Sequence, residues 1–451
     1  MKENSSLGQE SPVGASLLAK PFRQQAGSYD GASANGKFAM KAGWQVKTLG
    51  DVCEFQRGLT YAKSDEVDVS DNIVLRAMNI DLATNLLDFS ELKYISDKFV
   101  VPDSKKVKAG SLMICTASGS KSHLGKVAYI DDDYGYAFGG FMGMVTPKKE
   151  LHPKFLFHLM TSSAYKDFIA ALSDGTNINN LKFDDLKQFV APLPPLPEQQ
   201  RIVGIIDEAF DGIATAKVNA EKNLQNVRAL FESHLQSVFT QRGEGWVEKK
   251  LGDTSILKII DGDRGNNYPS KEDFSDDGFC LFLNTKNVRP DGFNFDTTMF
   301  ITEEKDKVLR KGKLQRQDVI LTTRGTIGNV AIFDEGVEFE NIRINSGMLI
   351  FRPNTEKILP SFLFEVFRSG IMKSQMTRHV SGAAQPQLPI KTLIDFEIPV
   401  PSTLESQHKI VASVREIDAE TQRLESLYQR KLAALDELKK SLLHQAFSGM
   451  L

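Results

Sequence analysis

One segment of roughly 200 residues is written twice along this chain, a period well beyond the 20–50 residues of a solenoid repeat. Gly43-Trp44 followed by Leu49-Gly50-Asp51 returns as Gly245-Trp246 followed by Leu251-Gly252-Asp253, at the same internal spacing. FLFHLMTSSAYKDFI, starting at Phe155, returns as FLFEVFRSGIMKSQM, starting at Phe362. Gly175, Leu181, Leu186, Phe189 and Pro192 are matched in order by Gly382, Leu388, Leu393, Phe396 and Pro399. Glu198-Gln199-Gln200-Arg201-Ile202-Val203 is echoed by Ser406 to Val411. Each copy is long enough to be a domain with its own core.

Within each copy a globular half precedes a helical half. Short apolar runs flank a glycine-containing loop, Ser111–Thr116 with Lys126–Ile130 and Asp318–Thr322 with Asn329–Phe333. These predict strand, loop, strand. Helical periodicity over Pro153–Ala170 and Pro360–Met376 makes each domain a mixed α/β one. Pro192, Pro194, Pro195 and Pro197, then Pro399 and Pro401, predict stiff extended connections.

A long helix follows in both copies. Glu405 to Phe447 holds neither Gly nor Pro, and Ile410, Val414, Ile417, Leu424, Leu435, Leu438 and Leu442 recur near a heptad register. Glu198 to Phe239 carries Ile202, Ile206, Ile213, Ala220, Val227 and Leu230, with Gly204 and Gly212 weakening its start. Each would run about 60 Å, a length that calls for a coiled-coil partner. Packed antiparallel, the two would relate the copies by an approximate two-fold axis. The fold class expected is therefore α+β: two similar mixed α/β domains separated by a pair of long antiparallel helices.

Composition narrows the function classes. The apolar and charged fractions, 41% and 25%, are those of a globular protein. No apolar run approaches the roughly 20 residues of a membrane span, and the first residues lack a secretory layout. Cys53, Cys115 and Cys280 are scattered and form no CxxC, which fits reduced thiols in the cytoplasm. The seven histidines show no metal-ligand spacing. A net charge of −3 does not announce a nucleic-acid binder, so any positive surface must be local.

The ordered set of motifs resembles the specificity subunits of type I restriction–modification enzymes. It comprises the opening GW and LGD of each half, the PLP-rich linker, EQQRIV and the closing LLHQAFSGML. The loop Thr323-Arg324-Gly325-Thr326-Ile327-Gly328-Asn329-Val330-Ala331 belongs to the set as well. The first copy departs there, with Ala117-Ser118-Gly119-Ser120-Lys121 and a longer Gly119–Gly125 stretch. The resemblance covers Met40 to Leu451. Residues 1–39, rich in Ser, Gly and Ala and matched by nothing in the second copy, read as a flexible extension. The resemblance implies target-recognition domains over 40–197 and 244–402, and long conserved helices over 198–243 and 403–451. It also implies a non-catalytic subunit that binds a bipartite, asymmetric site on double-stranded DNA. Two methyltransferase subunits and motor–nuclease subunits would dock on it. S-adenosylmethionine, ATP and Mg would be held by those partners, with no cofactor, metal or membrane contact for this chain.

Polar loops at strand ends are where phosphate anchors and base contacts are expected. In the first domain these are Arg57, Arg76, Asn79, Ser118, Ser120, Lys121, Ser122, Asn177 and Asn180. In the second they are Arg264, Asn266, Asn267, Tyr268, Lys286, Asn287, Arg324, Thr326 and Gln387. Arg324 stands first, because a guanidinium pairs with a guanine edge or a phosphate in two-pronged geometry. The basic group Arg310, Lys311, Lys313 and Arg316 reads either as an exposed helix face or as a track along phosphates.

Several fragments imitate catalytic motifs. Pro290-Asp291 with Glu303-Glu304-Lys305 has the outline of a metal nuclease, but each half reads equally well as a β-turn and a helix start. Gly119 to Gly125-Lys126 is one residue too long for a phosphate-binding loop and lacks its Ser or Thr, and Gly139-Gly140 with Gly143 reads as a turn. Pro194-Pro195 has no Asp or Asn before it, so the tetrapeptide that grips a flipped base is missing and methylation falls to a partner. The rival readings are a self-contained restriction endonuclease and a non-catalytic coiled-coil scaffold. Polar loops that differ between otherwise repeated domains speak against the scaffold.

Overall fold

The computed structural model describes residues 41–119, 123–173, 180–380 and 386–451. The extension expected over 1–39 lies outside the described residues. Two units make up the chain: one runs to Ile206 and regains Leu442–Leu451, the other is Asp207–Ser441.

In the first unit the Gly-Trp motif leads into a strand, Gln45–Thr48, that pairs antiparallel with Val190–Leu193. A four-stranded antiparallel sheet is ordered Cys53–Arg57, Met142–Pro147, Leu112–Cys115, Val127–Tyr129. A second sheet is ordered Glu66–Val67, Lys93–Ile95, Asn72–Leu75, Ala137–Phe138, its last pair parallel. The second unit repeats the plan. Trp246–Lys250 pairs with Glu397–Pro401, and Leu257–Asp261, Met348–Pro353, Val319–Thr322 and Val330–Ile332 form the antiparallel sheet. Phe300–Ile301, Cys280–Leu283 and Ile342–Ile344 form the other, again with one parallel pair.

The repeated motifs have local structural jobs. Leu49 and Gly50 donate their amides to the Phe189 and Lys187 carbonyls at 2.9 and 3.1 Å, and Leu251 and Gly252 donate to Phe396 and Ile394, both at 2.9 Å. A Cβ on Gly252 would lie 2.9 Å from the Ile394 carbonyl oxygen, so glycine is needed for the close approach. Three of the prolines lie in extended, paired strands. Pro192 stands opposite Val46, and Pro399 and Pro401 opposite Glu248 and Trp246, in two-stranded edges that tolerate a missing amide donor. The helical runs are each split, into Pro153–Leu159 and Ser163–Ser173, and into Pro360–Arg368 and Gly370–His379. At both breaks a buried serine turns its hydroxyl back onto the chain, Ser162 to the Leu159 carbonyl at 2.7 Å and Ser369 to Val366 at 2.6 Å.

The long helices run Leu196–Thr240 and Leu404–Phe447, and Gly204 and Gly212 do not interrupt the first. A buried glutamine fastens the start of each. Gln199 accepts the His152 amide at 2.7 Å and donates to the Glu150 and Pro194 carbonyls at 2.9 and 2.8 Å. Gln407 accepts the Leu359 amide at 2.8 Å and donates to the Lys357 and Pro401 carbonyls at 2.9 and 3.2 Å. The EQQ and SQH motifs are therefore clamps between a helix and its globular half.

Within the second unit the two helices pair antiparallel. Lys217 meets Asp436, and eleven residues further along the first helix Arg228 meets Glu425, eleven residues back along the second, at 2.7 Å. Ile213 and Ala220 are buried at heptad spacing, as are Val414 and Thr421, while Leu230 and Leu438 point to solvent. The end of each helix finishes a core. Phe239 lies among Trp246 and Phe362 in the second unit, and Phe447 meets Phe155 edge-on at 5.2 Å in the first. Gly449, at φ 75°, then ends the second helix, and Arg201 donates to the Leu451 carbonyl at 2.8 Å.

Candidate nucleic-acid interface

The same corner is built in each unit where a central strand runs out. After Leu112–Cys115, the amides of Thr116 and Ala117 donate to the Phe141 carbonyl at 2.9 and 3.2 Å, and the Thr116 hydroxyl joins them at 2.9 Å. Leu181 donates to the Thr116 carbonyl at 2.6 Å, and Ala117 bridges Asn180. In the second unit the amides of Thr323 and Arg324 donate to the Gly347 carbonyl at 2.8 and 3.2 Å, with the Thr323 hydroxyl at 3.2 Å. Leu388 donates to the Thr323 carbonyl at 3.0 Å, and Arg324 bridges Gln387. This common pattern sets the register: Thr116 with Thr323, Ala117 with Arg324, Phe141 with Gly347, and Asn180 with Gln387.

Each corner opens on a cavity. The first, of about 690 Å³, is lined by Tyr61, Lys63, Glu66, Arg76, Ser118 and Phe141 among others. Arg76 is braced there by Glu66 and by the Tyr61 hydroxyl, 2.9 Å from Nε. Burial works against its charge, but the bonds to Tyr61 and Glu66 outweigh it and raise its pKa. The second cavity, of about 340 Å³, is lined by Asp261, Arg264, Arg324, Gln387 and Lys391 among others. Arg264 donates to Asp261 and to the Ser346 carbonyl at 3.2 and 3.3 Å.

The sequence candidates therefore divide. Arg76, Ser118 and Asn180 gather at the first corner, and Arg264, Arg324 and Gln387 at the second. Arg57 is exposed at its strand end, 5.3 Å over the Phe183 ring, and Thr326 is exposed on the loop leaving the second corner. Asn266, Asn267 and Lys286 are exposed on neighbouring loops, and Tyr268 is half-buried, edge-on to Phe282 at 5.8 Å. Ser120, Lys121, Ser122 and Asn177 lie outside the described residues.

Two candidates are corrected. Asn79 and Asn287 are 1% exposed and have no face to offer a ligand. Asn79 accepts the Arg76 amide at 2.8 Å and donates to the Asp88 and Glu91 carbonyls, both at 2.8 Å. Asn287 accepts the Asn284 amide at 3.0 Å and donates to the Asn294 and Thr297 carbonyls at 3.1 and 2.7 Å. Both are repeated internal brackets rather than readers.

The helix-face reading of the basic group is also corrected, since the short helix Glu303–Val308 ends before it. Lys313 is paired with Asp306 at 2.6 Å, and Arg316 is bound to the Asp334 and Val337 carbonyls at 2.5 and 2.9 Å. Asp291 lies in the turn of a hairpin, Val288–Arg289 with Gly292–Phe293, and Lys305 is paired with Asp273 at 3.0 Å. No His, Cys, Asp or Glu group suited to a metal occurs among the described residues. The cysteines are buried and free, and burial pushes the Cys53 and Cys280 thiols up to about 12. No helix among the described residues is long and apolar enough to cross a membrane. Lys63, Phe141 and Lys391, which also line these cavities, are not among the sequence candidates. Phe141 was hidden in an apolar run whose glycines read as a plain turn.

The model of the type I restriction modification DNA specificity domain matches residues 41–225 and 243–431. The chain is 27% identical over 425 residues to the specificity subunit of the type I restriction enzyme EcoKI of Escherichia coli K12, covering 91% of this chain and 89% of that one. It is 24% identical over 432 residues to the StySPI specificity subunit of Salmonella potsdam, with 91% and 89% covered. Its fold is similar to a chain solved in work on the assembly and conformational transition of the type I R-M system. There the TM-score is 0.74 at 20% identity, over 91% of this chain and 99% of that one. The HsdS subunit from Thermoanaerobacter tengcongensis gives a TM-score of 0.61 at 19% identity, over 92% and 99%.

Proposed function

The chain belongs to the type I restriction modification DNA specificity family, and on that footing we propose that it reads a two-part, asymmetric site on double-stranded DNA for a type I restriction–modification complex. One observation carries the reading. The same backbone corner occurs in both units with unlike side chains on it, which is what two readers of different half-sites require. The Arg324 guanidinium offers paired donors suited to a guanine edge. The side-chain amides of Asn180 and Gln387 suit adenine, and Arg57 and Lys286 suit phosphates.

The chain is a recognition subunit, and the chemistry belongs to its partners. Two methyltransferase subunits holding S-adenosylmethionine would flip and methylate an adenine in each half-site. Motor–nuclease subunits using ATP and Mg would join them in the cytoplasm.

Methylome mapping of cells expressing this chain with its methyltransferase tests the reading. Adenine methylation confined to one motif with two specified parts and an unspecified gap is the expected result. Methylation without such a motif overturns it.

A further inference from the structure

The large side chain at the shared corner has changed places between the units. Where the second unit has Arg324 and Gly347, the first has Ala117 and Phe141. Phe141 is 73% exposed, the most of any phenylalanine among the described residues, although Phe138 and Met142 beside it are buried. Its main chain is held firmly. Three hydrogen bonds from Thr116 and Ala117 converge on its carbonyl, and the Met142 amide closes the turn onto Gly139 at 2.8 Å. A ring carried on a fixed main chain and left in water has apolar contact to offer a ligand.

The ring stands on the rim of the cavity that holds Arg76 and Ser118. That placement suits a group projecting toward the corner from a duplex groove. The base-edge group that takes an apolar partner in the major groove is the thymine 5-methyl. Ala117 leaves room for it by carrying no long side chain where the second unit carries Arg324.

Resting on the DNA-reading function above, we propose that Phe141 is a specificity-determining residue of the first unit, making an apolar contact with the 5-methyl group of a thymine. The two units thus read with different chemistry at one architectural position, a ring in one and a guanidinium in the other.

The test uses the chain assembled with its methyltransferase and duplexes carrying the mapped site. Each thymine is replaced in turn by deoxyuridine, which lacks only the methyl group. With the unaltered chain, methylation should fall about fourfold at one thymine position in one half-site, the scale of one buried methyl group. Phe141→Gly should lose about as much on the normal duplex and become indifferent to deoxyuridine there. Phe141→Leu should keep most of the discrimination, and the other half-site should be unaffected in both variants. A site with no methyl-sensitive thymine, or undiminished discrimination by Phe141→Gly, overturns the inference while leaving the DNA-reading function standing. An assembled complex that methylates no two-part site overturns that function itself.

Discussion

Replacing Gln407 by Leu strips a buried amide from three main-chain partners, the Leu359 amide and the Lys357 and Pro401 carbonyls. Each buried group left unmade costs about 1–3 kcal/mol, so a loss of at least about 3 kcal/mol overall is expected, read from denaturant midpoints. Gln199→Leu should behave alike, because its partners are the same by position. Glu365 gives a pH dependence. Burial pushes its carboxyl up to about 7 against the pull of Arg368, 3.2 Å away, and Asp418 adds to the rise. Its folded pKa lies above its unfolded one, so the stability at issue is present below pH 4.5 and is lost as pH rises to about 7. Glu365→Gln should raise the thermal midpoint at pH 8 and leave it nearly unchanged at pH 4. An equal change at both would refute the assignment. Residue roles were the least legible part of the chain. Asn79 and Asn180 look alike in sequence, yet one is an internal bracket and the other lies on a corner, a difference fixed by long-range packing.

Gly212 lies within the first long helix with open space where a Cβ would go. Gly212→Ala should therefore stabilise the chain by about 0.5–1 kcal/mol, seen as a raised thermal midpoint, and no gain would mean the site is strained. Elements with strong periodicity were legible. The strands at Leu112–Cys115 and Val319–Thr322 and both long helices fall where apolar spacing puts them. The breaks at Ser162 and Ser369 were not, because a side-chain bond to the backbone leaves the apolar period intact. The proline segments were read as extended, but nothing local revealed that they pair with the Gly-Trp strands. Leu230 and Leu438 followed the period and still face solvent, since hydrophobicity alone does not say which face is covered.

The duplication and the α+β plan were legible because a repeated pattern must serve the same structural purpose twice. The pairing of Lys217 with Asp436 and Arg228 with Glu425 also sets out how to shorten the helices without disturbing their facing register. Deleting 214–220 together with 433–439 removes one heptad from each, about 10 Å of rise. On the proposed function the gap in the methylated motif should then shrink while both half-sites keep their bases. A changed half-site, with the gap preserved, would count against the helices as its ruler.

Phe447 meets Phe155 inside the unit that is synthesised first. On the ribosome that unit must wait, its core unfinished, until 442–451 have been made. A prematurely stopped translation product would carry an uncovered apolar face from its earliest-made part, a ready target for cellular proteases.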